Sequence, residues 1–317
     1  MNDLFLGFDT SCYTSSVSCV DSDSIIHDGR VLLDVSAGER GLRQSDAVFQ
    51  HTRNLSKLVP DLFSGADGSN ARAIGVSGRP SGRPDSYMPV FLSGKTVAYS
   101  IGAALNIPVY EFTHQQGHIR AALVGNDQLI DSRFIAFHLS GGTSDMLIVD
   151  EEFNIDRIGG TTDITSGQLV DRLGVKMGLR FPAGKELEKL AIHGKRNSDL
   201  ILPSCVRGIQ CSFSGVETKA AGYLDKGADC SDIALSVYDC IARTLAKLVI
   251  NAKSSLGISS FLFAGGVASS SILRSMLSVR LSNQKVDLAF SAPKLSSDNA
   301  VGIALLAMDQ YGKSNSY

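Results

Sequence analysis

No stretch of the chain approaches the roughly 20 consecutive apolar residues that a membrane span requires. The N-terminus runs straight into Leu4-Phe-Leu-Gly-Phe8 with neither a basic region nor a cleavage site, so neither secretion nor membrane insertion is expected. The six cysteines, Cys12, Cys19, Cys205, Cys211, Cys230 and Cys240, include no Cys-x-x-Cys pair and follow no disulfide framework. That pattern points to mostly buried thiols in a reducing, cytoplasmic compartment. Long Lys/Arg runs are lacking too, and the net charge is −2. A broad electrostatic footprint for nucleic acid is thereby excluded, although a local patch or a partner protein can supply one. What remains is an ordinary globular composition of 317 residues, 44% apolar and 20% charged, long enough for two lobes each with its own core.

The first twenty residues read as a hairpin. Leu4 to Phe8 is a strand, Asp9-Thr-Ser-Cys-Tyr-Thr14 a hydroxyl-rich tip, and Val17, Cys19 and Val20 belong to the returning strand. A matching unit follows much later, with Phe134 to His138 as the strand, Ser140-Gly-Gly-Thr-Ser-Asp145 as the tip and Met146 to Val149 returning. Ala73-Ile-Gly-Val-Ser-Gly78 and Phe261-Leu-Phe-Ala-Gly-Gly-Val267 are a second pair of echoes, each a short apolar strand entering a Gly-bearing turn before a helical pattern. The two halves therefore carry the same order of parts. Helices are expected over Ser45–Phe63, Phe91–Leu105, from His114, over Asp232–Ala252, around Ile272–Leu277, and over Asp298–Met308 at the C-terminus. In the fourth of these, Ile233, Val237, Ile241 and Leu245 recur every fourth residue and mark a core helix. Strands alternating with helices imply mixed or parallel sheets covered by helices, an α/β class.

His114 and His118 are four residues apart, a spacing that on a helix aims both imidazoles to one side, where a single divalent metal can bridge them. The bland alternative is two polar residues on an exposed helical face. A zinc-peptidase signature would place Glu directly after the first His, but that residue is Gln115, and Glu111 lies off the required position. The two hydroxyl- and Gly-bearing tips suit a nucleotide in an interlobe cleft, because small residues let backbone N–H groups approach phosphate oxygens. Leu92-Ser-Gly-Lys-Thr96 lacks the Gly of a Walker loop, since Pro89 stands there, and reads as a helix start. Ala264-Gly-Gly-Val267 permits close approach of backbone to a ligand or simply forms a tight turn. Asp171 and Lys176 flank an apolar helical stripe and can be a solvated face. Ser212-Phe-Ser-Gly215 and Ser296-Ser-Asp-Asn299 are polar turns before helices, with Asp298 either a cap or a third metal ligand. His27, His51 and His193 read as surface or capping residues, His138 is a candidate to face the cleft, and no Ser or Cys triad is recognisable.

Together, Asp9-Thr-Ser-Cys12, His114-x-x-Gly-His118, Ser140-Gly-Gly142, Asp171, Phe181-Pro-Ala-Gly184, Ser212-Phe-Ser-Gly215, Gly265-Gly266 and Ser297-Asp-Asn299 resemble, in the same order, the TsaD family of tRNA threonylcarbamoyladenosine biosynthesis. The resemblance implies a duplicated, two-lobed sugar-kinase/actin-like (ASKHA) fold. The lobes would span 1–112 and 113–317, with the last helix, 298–310, packing back on the first. It implies a Zn or Fe ion on His114, His118 and Asp298, and an adenine nucleotide (ATP, AMP or an acyl-adenylate) on Asp9, Ser140, Gly141, Gly142, Asp171, Gly184, Gly265 and Ser270. The implied reaction moves a threonylcarbamoyl group from its adenylate to N6 of an adenosine in tRNA, in a complex with a shorter TsaB-like paralogue and a small ATPase. No side-chain nucleophile is then needed.

The chain departs from the family pattern at several points. Tyr13-Thr14 replaces an acidic pair, Gln168 a Glu, Ser270 an Asn, and Gly-Gly-Thr-Ser-Asp145 the usual Gly-Gly-His-Thr-Gln. Gly41-Leu-Arg-Gln-Ser-Asp46 and Asp85-Ser-Tyr-Met-Pro89 also suggest a divergent branch. Two alternatives follow: a nucleotide-binding scaffold or regulator, and a carbamoyl transferase acting on a small molecule.

Overall fold

A computed structural model describes residues 2–11, 13–35, 42–82 and 86–315. Cys12, Gly41, Pro84 and Asp85 lie outside the described residues. The chain forms two compact units, Met1–Val124 with Ser297–Tyr317, and Gly125–Ser296. The expected boundary after residue 112 is therefore corrected: the helix bearing His114 and His118 belongs to the first unit, and so does the C-terminal helix.

In the first unit, β1 (Leu4–Asp9), β2 (Thr14–Val20) and β3 (Ile25–Leu32) form an antiparallel meander. Then come α1 (Gln44–Gly65), β4 (Ala71–Arg79), α2 (Phe91–Leu105), β5 (Val109–Thr113) and α3 (His114–Ala122). The sheet order is β3-β2-β1-β4-β5, with β1, β4 and β5 parallel. Every residue of β1 is buried, as the unbroken apolar run Leu4-Phe-Leu-Gly-Phe8 requires of a strand covered on both faces.

The second unit repeats this plan. It opens with β6 (Phe134–Leu139), β7 (Ser144–Val149), β8 (Ile155–Thr161), α4 (Ser166–Lys176) and α5 (Gly184–His193). The short ribbon β9 (Cys205–Arg207) and β10 (Gln210–Ser212) precedes α6 (Ser214–Asp225), α7 (Cys230–Leu256), β11 (Ser260–Ala264), α8 (Ser271–Leu281) and β12 (Asp287–Phe290). Its sheet runs β12-β11-β6-β7-β8-β10-β9. Without the ribbon, β8-β7-β6-β11-β12 reproduces the order of the first sheet, so the duplication expected from the paired hairpins is present in the topology. The expected apolar stripe of α7 is real: Ile233, Val237, Ile241 and Leu245 are all in the core.

The chain then returns to the first unit as α9 (Val301–Asn315), which packs on β1, β4 and α3. It starts three residues later than the sequence suggests, because the Asn299 side chain accepts the Val301 N–H at 3.0 Å and caps the helix. Asp298 is thus released from capping. No helix among the described residues is long and apolar enough to cross a membrane.

Candidate metal centre and nucleotide loops

The first turn of α3 is closed by a capping box. Thr113 Oγ1 accepts the Gln116 N–H at 3.1 Å, and Gln116 Oε1 accepts the Thr113 N–H at 2.9 Å. His114 therefore opens the helix and His118 sits one turn on, their rings edge to face with centroids 4.3 Å apart. His114 Nε2 and His118 Nε2 are 2.9 Å apart, and Asp298 Oδ1 lies 3.2 Å from the second and 3.7 Å from the first. Three ligands each about 2.1 Å from one tetrahedral ion stand about 3.4 Å apart. The spacing of this set matches that geometry, and the three form a group able to hold a metal.

The chemistry of the donors fits as well. Asp9, 1% exposed, brings Oδ2 to 2.7 Å from His114 Nδ1. An ionised carboxylate can only accept, so Nδ1 carries the hydrogen and the lone pair of the neutral ring is on Nε2, aimed at His118 and Asp298. Electron-rich atoms crowded in this way are stabilised by a cation among them. Burial works against a charged His114, yet the charge and hydrogen bond of Asp9, with Asp298, outweigh it and raise the pKa to about 9. A metal ion bound here would take the place of that second proton.

Asp9, expected among the nucleotide-binding residues, is bonded to His114, in the carboxylate–histidine arrangement that orients metal ligands. Asp9→Asn should weaken metal affinity by about 10- to 100-fold with little loss of fold. Competition with a chelator of known affinity would read this, and an unchanged metal affinity would remove Asp9 from the centre. Ser11 completes the surroundings, its N–H donating to Asp9 Oδ1 at 2.9 Å and its Oγ 3.4 Å from His114 Nε2. Arg30 was not singled out in the sequence, where it is one more charge on an edge strand. Its guanidinium donates to Ser297 Oγ at 3.0 Å and to the Asp298 carbonyl at 3.4 Å, and so steadies the turn that carries Asp298.

The remaining nucleotide candidates all lie in the second unit: Ser140, Gly141 and Gly142 after β6, Asp171 in α4, Gly184 at the start of α5, and Gly265 and Ser270 after β11. Ser140 Oγ accepts the N–H groups of Gly142 and Thr143 at 3.2 and 3.0 Å, forming a tight turn that leaves Gly141 and Gly142 exposed. Thr165 Oγ1, at the start of α4, donates to the Gly141 carbonyl at 2.9 Å. Midway along α4, Asp171 accepts the Ala183 N–H at 2.8 Å, tying the Phe181-Pro-Ala-Gly184 turn to this helix. Burial raises the Asp171 carboxyl pKa, offset in part by that N–H, so Asp171 is no solvated face. Gly265 has φ +95°, and a Cβ there would stand 2.4 Å from the Leu139 carbonyl; only glycine lets this loop lie against the end of β6. Ser270 caps α8 by accepting the Leu273 N–H at 3.3 Å.

One further expectation is corrected by the packing, and other residues find their partners. His51 is not at the surface: it is fully buried, with Nδ1 2.8 Å from Ser15 Oγ. Glu111 is occupied by Lys95 and Tyr99 at 2.9 and 2.8 Å, on β5. Gly94, in the sequence that tempts toward a Walker loop, packs its N–H on Thr10 Oγ1 at 3.1 Å. Asp163, absent from the sequence reading, accepts the Phe213 and Ser214 N–H groups at 2.8 and 3.1 Å and anchors Ser212-Phe-Ser-Gly215.

Comparison with known proteins bears on the family and the fold. The family model TsaD, tRNA N6-adenosine threonylcarbamoyltransferase, matches residues 38–305. The chain is 29% identical over 313 residues to a tRNA N6-adenosine threonylcarbamoyltransferase of Nitrosomonas europaea, covering 95% of this chain and 91% of that one. A protein of the same description from Fusobacterium nucleatum is 25% identical over 311 residues, covering 95% and 89%. Among solved structures, component A of the Acidaminococcus fermentans (R)-2-hydroxyglutaryl-CoA dehydratase superposes with TM-score 0.58 at 15% identity, covering 98% of this chain and 99% of that one. A glucokinase of the ROK family from Streptomyces griseus, solved with glucose and AMPPNP, superposes with TM-score 0.55 at 14% identity, covering 96% and 99%. These likenesses establish the sugar-kinase/actin-like fold.

Proposed function

Because the chain belongs to the TsaD family of tRNA N6-adenosine threonylcarbamoyltransferases, we propose that it moves a threonylcarbamoyl group from its adenylate to N6 of adenosine in tRNA. The observation that carries this reading is the convergence of His114, His118 and Asp298 within 3.7 Å of one another, backed by Asp9. His114, His118 and Asp298 would hold a Zn or Fe ion. When bound, that ion supplies Lewis-acid polarisation of an acyl carbonyl. Asp9 keeps the His114 lone pair on Nε2 and so keeps the ring ready as a ligand. In the second unit, the Ser140–Gly142 turn, Asp171, Gly184, Gly265 and Ser270 would bind the adenylate portion of the donor. Their role is to orient the donor and hold its AMP leaving group through backbone N–H groups.

At two departures from the family pattern the side chain present caps a helix. Gln168 replaces Glu yet closes a capping box with Thr165, with bonds of 3.1 and 2.9 Å, which an amide oxygen does as well as a carboxylate. Ser270 replaces Asn, and both rank among the best helix caps.

The test is purified protein with tRNA, threonylcarbamoyl-adenylate and, in parallel, a TsaB-like paralogue and a small ATPase, followed by nucleoside analysis. Modified adenosine in the wild type and its absence without metal are expected. Stoichiometric metal and AMP binding with no modified adenosine in any combination would overturn the transferase reading in favour of a nucleotide-binding scaffold. Adenylate consumption with only a small-molecule product would redirect the search for the acceptor.

A further inference from the structure

We propose that the exposed face of α5, with Phe181 in the turn before it, is the surface that receives the phosphate backbone of tRNA. This rests on the transferase reading above, in which Gly184 helps to hold the adenylate. An acceptor adenosine that reaches a donor held there brings its own flanking phosphates onto the neighbouring surface. That surface is cationic. Residues 180–196 contain Arg180, Lys185, Lys189, Lys195 and Arg196 against two acids, Glu186 and Glu188. Five cations less two acids is a net +3, which leaves −5 for the rest of a chain whose total is −2. The positive charge is thus concentrated on an otherwise acidic molecule.

All five cations are exposed. None makes an ion pair with a described residue, whereas Arg172 and Lys176 on α4 are paired with Glu217 and Asp225. The two acids of the segment are engaged locally. Glu188 accepts from Ser271 Oγ at 2.7 Å and from the Ile272 N–H at 3.2 Å, and Glu186 accepts the Arg180 N–H at 3.4 Å. Asp232 accepts the Lys195 N–H at 2.7 Å and sets a negative charge at the far end, so the unopposed stretch is Arg180 to Lys189. Helical spacing gives it its shape. Leu187 and Ala191 are buried, which turns Lys185, Lys189 and His193, at i, i+4 and i+8, outward as one row stepping about 6 Å at a time. At the head of the row stands Phe181, 75% exposed and the most exposed large apolar side chain among the described residues. Cations in a row led by a bare aromatic ring fit a nucleic-acid strand, the ammonium groups meeting phosphates and the ring stacking on a base. Protein interfaces are depleted in Lys at their centre, which sets a protein partner second.

The experiment measures binding of an unmodified tRNA transcript over a salt series. It compares wild type, Lys185→Gln/Lys189→Gln, Phe181→Ala and a charge-matched control, Lys247→Gln/Lys285→Gln, whose two lysines are exposed and lie outside the segment. Every exchange is at the surface, so Tm should stay near that of the wild type. The Lys185/Lys189 variant is expected to bind more than about tenfold more weakly at about 0.1 M salt, with the slope of log K against log salt reduced by about 1.5, as loss of two phosphate contacts requires. Phe181→Ala is expected to weaken binding by about fivefold or more with the slope unchanged, as loss of one stacked base requires. Wild-type affinity in either variant, or losses no greater than the control's, would overturn the proposal and leave the transferase reading standing. Unchanged tRNA binding with loss of binding to the TsaB-like paralogue would overturn it in favour of a protein-docking face. No tRNA binding by the wild type, alone or with that paralogue and the small ATPase, would instead remove the transferase reading itself, and this proposal with it.

Discussion

His118→Ala is expected to lose the bound metal, with affinity falling by more than about 100-fold, and to lose threonylcarbamoyl transfer with it. Replacing a group that only orients a ligand already costs about 10- to 100-fold; removing a ligand atom costs more. The ring contributes one of three donor atoms, and its Nε2 is the one closest to both others, at 2.9 and 3.2 Å. The fold should persist, because His118 stands outside the apolar clusters that make up the two cores. A melting temperature near that of the wild type, alongside metal content near zero, is the expected pair of results. Global unfolding of the variant would instead mean that the ion is structural and that the first unit depends on it. Asp298→Ala should follow the same course, and full metal occupancy in that variant would remove Asp298 from the ligand set.

The second large effect concerns packing rather than ligands. Gly302→Ala should destabilise the first unit by about 3 kcal/mol, the upper part of the range for an overpacked core. A Cβ at this position would lie 1.9 Å from the Gly117 carbonyl oxygen and 2.7 Å from the Ala121 nitrogen. Both are backbone atoms of α3 and cannot rotate aside, so α3 and α9 must separate. The metal centre would feel this directly: His118 follows Gly117, and Asp298 lies four residues before Gly302. Tm should fall by roughly 6 °C or more, given the shift expected per kcal/mol for a unit of this size, and metal affinity should fall with it. A variant melting within about 2 °C of wild type would show that the two helices can part without cost. Unchanged metal affinity in a destabilised variant would show that their contact does not set the ligand geometry.

Asp298 comes to His118 from 180 residues away and Asp9 to His114 from 105. No local pattern encodes either meeting. The nearest sequence signal for the first was that Asp298 could be a cap or a ligand, a choice resolved only when Asn299 took the cap. Asp9 was legible as part of a motif but not as the partner of a histidine, because hairpin tips of similar composition looked alike in both halves. In the fold, one tip turns its aspartate onto α3 and the other folds its serine back onto its own amides. Arg30 and Asp163 carried no signal: an edge-strand charge and a loop acid are common everywhere, and only their partners distinguish them.

Features that depend on neighbours along the chain were legible in the order of residues. The fourfold stripe of Ile233, Val237, Ile241 and Leu245, the buried run Leu4 to Phe8, the helix over Phe91–Leu105 and the pairing of His114 with His118 all follow from periods of 3.6 or 2. The repeated order of hairpin, strand and helix also revealed the duplicated sheet, since each half must bury the same faces. That α3 belongs with the first unit, beside α9, follows from the fold alone, and with it the place where the candidate metal ligands meet. That placement depends on two glycines, Gly117 and Gly302, letting helices from distant parts of the chain approach until backbone touches backbone. Close approach of this kind leaves no periodic trace, because it is made by side chains that are absent.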